Sequence, residues 1–187
     1  MKIRTARAAD APRIAEIYRP YVEKTAISFE YEAPDADEMA RRMAAVLKKY
    51  PYLIAEKEGR VIGYAYAGPF VGREAYDWSA EMSIYIDWNA RHGGIGKALY
   101  NEMESLLKKM GVININACIG YVEEEDEYLN HNSVDFHAHL GYQWVGLFHK
   151  CGYKFGRWYD MVWMEKMLGP HPDVPQKLIP YPDLEKD

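Results

Sequence analysis

Ser83-Ile84-Tyr85-Ile86-Asp87-Trp88-Asn89-Ala90-Arg91-His92-Gly93-Gly94-Ile95-Gly96-Lys97-Ala98-Leu99 is the stretch of this 187-residue chain that decides its fold. An apolar strand ends, a glycine-rich turn follows, and a helix opens with Ile95, Leu99, Met103, Leu106 and Leu107 at apolar spacing. The first turn of a helix carries unpaired N–H groups and the positive end of its dipole, which together suit a phosphate or pyrophosphate. Glycines let such a ligand approach the backbone with no Cβ in the way. Two phosphate motifs fail here. A Walker A loop needs a hydroxyl where Ala98 stands and a glycine where Arg91 stands. A dinucleotide fingerprint needs a glycine in place of Leu99 and an acidic residue about twenty positions on. A third pattern, R/Q-x-x-G-x-G/A, is matched in full by Arg91-His92-Gly93-Gly94-Ile95-Gly96.

Upstream, residues 3–5 read as a short strand. Asp10 is placed to cap a helix with Ile14, Ile17, Tyr18, Tyr21 and Val22 on one face, and Pro20 should bend or end it. Asp35 and Glu38 make a variant capping box for a second helix, with Met39, Met43, Val46 and Leu47 inward. Residues 52–56 and 61–67 read as a hairpin about Glu58-Gly59, and residues 79–86 as the next strand. Downstream come a strand at 114–119, a short helix at 133–140, and strands near 143–149 and 158–165. The order β-α-α-β-β-β-α-β-α-β-β predicts an α/β fold, one mixed sheet with helices on both faces. Residues 1–168 form one domain, and the proline-rich segment 169–187 reads as an extended or disordered tail.

Composition narrows the function. A formal net charge of -5 argues against a nucleic-acid binder, and no apolar run is long enough to span a bilayer. The N-terminus has no signal-peptide pattern, so a cytoplasmic protein is expected. Cys118 and Cys151 are too few for a disulfide framework, and Cys118, among apolar strand neighbours, reads as a small buried hydrophobe. His137 and His139 point apart on a helix and nothing completes a ligand set, so no metal is expected.

Further blocks carry a resemblance. Thr25-Ala26-Ile27-Ser28-Phe29, Gly63-Tyr64-Ala65-Tyr66-Ala67-Gly68-Pro69, Arg73-Glu74-Ala75-Tyr76-Asp77-Trp78, Glu81-Met82-Ser83-Ile84-Tyr85-Ile86 and Gly152-Tyr153-Lys154-Phe155-Gly156-Arg157-Trp158-Tyr159-Asp160 resemble the phosphinothricin N-acetyltransferase branch of the Gcn5-related N-acetyltransferases. The likeness runs from about residue 2 to residue 168. It implies the GNAT-like acyl-CoA N-acyltransferase fold with splayed central strands, acetyl-CoA as co-substrate, a small amino-acid-like amine as acceptor, and a homodimer. It also implies that the backbone of Ile84, Tyr85 and Ile86 meets the pantetheine arm, and that Arg91, His92, Gly93, Gly94, Ile95, Gly96 and Lys97 surround the pyrophosphate. Asn130 and Ser133 fall where the branch contacts its cofactor. The connection 120–129 is longer and more acidic than in well-known members, so Asn132 is an alternative to Asn130.

Acetyl transfer to an amine requires loss of the ammonium proton, a donor for the developing oxyanion, and protonation of the departing thiolate. Glu81 occupies the position of the branch's acidic base candidate. Alternation puts Glu81, Ser83 and Tyr85 on one face and Met82, Ile84 and Ile86 on the other, and leaves open which face meets the cleft. His137 stands where many relatives carry a tyrosine that protonates the thiolate; otherwise it is a helix-face histidine bonded to its loop. Arg73 has the fork for a carboxylate or phosphinate, with Tyr76, Phe29, Tyr31, Met82 and Ser83 as the remaining acceptor wall. Direct transfer in a ternary complex is expected. A silent acyl-CoA sensor, or an enzyme acting on protein N-termini, lysines or aminoglycosides, are the competing readings.

Overall fold

A computed structural model describes residues 1–90 and 93–184. Its elements run β1 (Lys2–Thr5), α1 (Ala11–Lys24), α2 (Ala36–Val46), β2 (Tyr52–Lys57), β3 (Arg60–Pro69), β4 (Ser79–Ile86), α3 (Ile95–Met110), β5 (Asn114–Tyr121), α4 (Asn132–His139), β6 (Gln143–Lys154) and β7 (Arg157–Met167). The seven strands form one sheet in the order β1-β2-β3-β4-β5-β7-β6. Every pairing is antiparallel except β4 with β5, which is parallel. The expected element order and mixed sheet are what the chain adopts.

Strand alternation divides the core in two. Ala80, Met82, Ile115, Ala117, Ile119, Val162 and Met164 turn toward Leu99, Met103 and Leu107 of α3. On the opposite face, Tyr52, Ile54 and Tyr64 meet Ile14, Ile17, Tyr18 and Val22 of α1 and Met39 and Met43 of α2. Burying side chains of this size stabilises by roughly 1.5–3 kcal/mol each relative to exposure, which is what holds the helices down.

Two expectations about α1 need correction. Asp10 does not cap it: its carboxylate accepts from the Arg7 N–H at 2.7 Å and pairs with Arg4 at 2.8 Å. Pro20 does not end it, and α1 continues to Lys24. The carbonyl deprived of an N–H partner belongs to Glu16, an exposed residue that water can reach. The Asp35 cap does form, its side chain accepting from the Glu38 N–H at 2.8 Å.

Residues 169–184 lie along the domain. Leu178 is buried in the α3 core, the Trp78 indole donates to the Gln176 carbonyl at 2.7 Å, and the Ile179 N–H donates to Met110 at 2.8 Å. Tyr181 reaches Thr5 with a hydroxyl contact of 2.6 Å.

Candidate active site

The site begins where the sheet comes apart. β4 pairs with β5 at only three positions, Ser79 with Asn114, Ala80 with Ile115 and Glu81 with Asn116. Beyond Glu81 the two strands diverge, while β4 stays paired with β3 as far as Ile86. A cavity of about 320 Å³ fills the divergence, lined among others by Ile84, Ile86, Trp88, Gly96, Asn130 and Ser133. A smaller one of about 60 Å³ shares Ile27, Ile84, Leu129 and Ser133 with it and is lined further by Met82, Ser83, Tyr85, Tyr100, Cys118 and His137.

The glycine turn supplies the open end. Gly93 and Gly94 have φ of 97° and 74°, backbone that side chains rarely adopt, and a Cβ at either would meet nothing within 4 Å. Gly94 is the N-cap of α3, so the free N–H groups of its first turn face outward over an unobstructed backbone. Gly96 lines the large cavity and also meets a packing demand that its neighbours do not. A Cβ there would lie 2.8 Å from the Phe136 ring, so this glycine lets α3 pack against α4. Ile95 turns its side chain into the core, and Lys97 is exposed. Arg91 and His92 lie outside the described residues. Both Asn130 and Asn132 line the large cavity, and the Asn130 side chain accepts from the Asn132 N–H at 3.2 Å.

Glu81 sits half-buried on β4, between Gly68 of β3 and Asn116 of β5. Among the described residues it has no hydrogen-bond or ion-pair partner, and desolvation raises its pKa above the ordinary carboxylate value. Raised pKa values without a structural ion pair mark acid–base candidates. Cys118 corrects the reading of a buried hydrophobe. Ile115, Ala117 and Ile119 face α3, whereas Cys118 is exposed on the opposite side of the sheet. Desolvation first, then the Glu81 charge, pushes its thiol up to about 12, which disfavours a thiolate nucleophile.

His137 lines the small cavity and is almost fully buried. Its Nδ1–H donates to the Ser133 carbonyl at 2.7 Å, so Nε2 is left to accept from the Tyr100 hydroxyl at 2.8 Å. Desolvation pushes the imidazole down to about 4. A ring that is neutral at physiological pH with both nitrogens engaged differs from the imidazolium donor expected for the thiolate. The unfolded chain would bind this proton near pH 6.5, so stability is lost as pH falls from about 6.5 through about 4, by up to about 3 kcal/mol. NMR ring-proton shifts of His137 should stay flat from about pH 8 to about pH 5.5; an inflection near 6.5 would refute the neutral pair. Tyr100 belongs to the apolar face of α3, three residues before Met103, and only the fold brings its hydroxyl to a helix 37 residues on.

The acceptor candidates are less gathered. Phe29 is half-buried, its ring filling the space that a Cβ on Gly152 would occupy. Tyr31 is exposed and donates to the Tyr153 carbonyl at 2.5 Å. Arg73 and Tyr76 lie exposed on the β3–β4 connection and line neither cavity. Tyr76 stacks edge-on with Phe70, which meets Trp163 beside β5.

Comparison with known proteins resolves what such a wedge belongs to. The family described as the acetyltransferase (GNAT) domain matches residues 3–163. The chain belongs to the GNAT acetyltransferase family. This acetyltransferase is 34% identical to phosphinothricin N-acetyltransferase of Streptomyces viridochromogenes, over 94% of this chain and 92% of that one. It is 30% identical to the L-methionine sulfoximine/L-methionine sulfone acetyltransferase of Salmonella typhimurium, over 91% of this chain and 96% of that one. The solved phosphinothricin acetyltransferase of Sinorhizobium meliloti, a complex with AcCoA, superposes with a TM-score of 0.85 at 37% identity, covering 97% of this chain and 96% of that one. Among the described residues no group of three or more His, Cys, Asp or Glu side chains is arranged to hold a metal, and no helix is long and apolar enough to cross a membrane.

Proposed function

We propose that this acetyltransferase moves the acetyl group of acetyl-CoA to the primary amine of a small amino-acid-like compound of the phosphinothricin, methionine sulfone or methionine sulfoximine type. The observation that carries the reading is Glu81: a desolvated carboxylate, without a hydrogen-bond or ion-pair partner among the described residues, at the point where β4 leaves β5. The residues present fit the cofactor, since the wedge gives an extended β4 backbone and α3 offers its free N–H groups over Gly93 and Gly94. When bound, acetyl-CoA supplies an acetyl group activated as a thioester.

Glu81 takes the proton of the acceptor ammonium, directly or through a water. The free β4 edge from Ser83 to Ile86 orients the carbonyl and the pantetheine arm, with Asn130 and Ser133 on the facing wall. Gly93 to Lys97, with Arg91 and His92, hold the pyrophosphate. His137 works with Tyr100: it accepts from the Tyr100 hydroxyl and fixes it at the wall of the small cavity, where that hydroxyl would supply the proton to a departing thiolate. Transfer is direct, with Cys118 a wall and not an acyl carrier. Residues 1–168 form the catalytic unit, with 169–187 as its tail, in a cytoplasmic homodimer. Its edge strand β6 exposes Trp144, Val145 and Phe148 at 46%, 56% and 55%, an apolar surface suited to a second copy.

A thiol-release screen over free amino acids, phosphinothricin, methionine sulfone, methionine sulfoximine and lysine peptides tests this. Turnover confined to the peptides would refute it. Arg73, exposed and free of ion pairs among the described residues, is the candidate for the acceptor's acid group. Arg73→Lys should raise KM for acidic acceptors several-fold and leave KM for acetyl-CoA alone, because lysine keeps the charge but loses the planar fork. An equal loss with amines that carry no acid group would place Arg73 elsewhere.

A further inference from the structure

Lys154 ends β6, and Phe155 and Gly156 turn the chain into β7 with φ of 51° and 77°. Its side chain runs inward, leaving the residue only 3% exposed. The ammonium donates to the carbonyls of Val22 at 2.7 Å, Thr25 at 3.0 Å and Ser28 at 2.6 Å. An ammonium has three donors, and here all three go to backbone. Val22 belongs to the last turn of α1, where carbonyls lack helical partners and the dipole favours a cation. Thr25 and Ser28 belong to the connection between α1 and α2.

Among the described residues no carboxylate touches this ammonium. Desolvation lowers its pKa and the charge of Glu30 acts against that. Burying a cation without a counter-ion is costly, and a methionine of similar length could fill the space without that cost. What a methionine could not do is hold three carbonyls in fixed places. The segment so held carries Ile27, which lines both cavities, and Phe29, whose ring lies over Gly152 two residues before the lysine. Hairpin and connection are thus locked twice, by the ammonium and by the ring.

We propose that Lys154 is a positioning residue for acceptor recognition: its ammonium fixes residues 25–29, and with them Ile27, which lines both cavities, and Phe29, which lies over Gly152. This deepens the acetyltransferase reading and rests on it. Lys154 touches neither cavity and acts only through the segment it holds.

The test has two arms on the full chain. In hydrogen exchange, Lys154→Met should speed exchange of the amides at 25–29 at least tenfold, with α3 and β3 unchanged. In kinetics with the best amine found in the screen, Lys154→Met should raise its KM at least tenfold, change kcat by less than threefold, and raise the Kd of acetyl-CoA, whose cavity Ile27 also lines, by less than KM. Phe29→Ala should raise KM in the same direction, and the double variant should be little worse than either single one, since both act on one wall. Should Lys154→Met not fold, Lys154→Arg serves, because a planar guanidinium keeps the charge but cannot serve three carbonyls gathered about one nitrogen. Unchanged exchange at 25–29 overturns the clamp whatever the activity. A lower Tm with KM unmoved, or strictly additive effects with Phe29→Ala, overturns the acceptor role. Absence of thiol release by the unaltered enzyme with every amine sinks the acetyltransferase reading and the acceptor role with it, and the exchange arm still decides the clamp.

Discussion

Glu81→Gln should lower turnover by about 10²- to 10⁴-fold, the range a positioned general base contributes, while acetyl-CoA affinity stays within a few-fold. The acceptor amine has a pKa of roughly 8 to 10, so near neutrality most of it carries the proton that must leave. Glutamine keeps the shape of the side chain and cannot take that proton. Because desolvation raises the Glu81 pKa, the active carboxylate form is populated only above that raised value. Activity of the unaltered enzyme should therefore climb with pH through it and then level. The variant should lack this limb and recover part of its rate at high pH, where the amine arrives already free. The sign for stability is opposite. The folded state binds the Glu81 proton more tightly than the unfolded chain, so the site costs stability as pH rises through the raised pKa. Glu81→Gln should be as stable as the parent at neutral pH, or more so. Near-parental turnover between about pH 6 and pH 9 would show that another group accepts the proton.

Gly94→Asp is the second large effect. Gly94 caps α3 with φ 74° and ψ 16°, a conformation that aspartate tolerates better than most side chains, and a Cβ there meets no atom within 4 Å. The fold should survive. The new carboxylate would sit at the positive end of α3, satisfy its free N–H groups and repel a pyrophosphate. Acetyl-CoA affinity should fall at least tenfold, about 1.4 kcal/mol, measured by calorimetry. Gly94→Asn, which has the same backbone tolerance and no charge, should lose much less. Equal affinities for the parent and the aspartate variant would remove the pyrophosphate from this helix end. Gly96 is the poorer probe, because its substitution strikes Phe136 before any ligand.

What the sequence disclosed, and what it withheld, follows from which forces are local. The Asp35–Glu38 cap, the Glu58-Gly59 turn and the strand–glycine–helix passage into α3 are determined by neighbours in sequence, and they formed as read. Alternation orders the faces of a strand without telling which face a helix covers; β5 turns Ile115, Ala117 and Ile119 to α3 and leaves Cys118 exposed on the other face. β6 reaches Lys154 and not 149 because its pairing with β7 shifts between Phe148 and Gly152, an irregularity with no periodic signature. The Tyr100–His137 pair joins two helices 37 residues apart, and the Lys154 contacts span more than a hundred residues. Such pairs come from topology, and spacing within one element is silent about them. The tail likewise docks through contacts with residues far away in sequence, the Leu178 side chain in the α3 core, the Tyr181 hydroxyl at Thr5, and the Gln176 carbonyl and Ile179 N–H.

The short parallel pairing of β4 with β5 has a consequence for self-association. A strand edge with free N–H and C=O groups is a template for any passing strand, and proteins usually twist, charge or cover such edges to prevent fibres. Here the inner edge of β4 is left unpaired in the middle of the sheet. It escapes that hazard because α3, α4 and the loop at 126–130 wall the gap. An opening that admits a slender amide chain refuses a polypeptide strand with its side chains. Widening it, for instance by thinning Phe136, would turn a ligand site into a seed for aggregation.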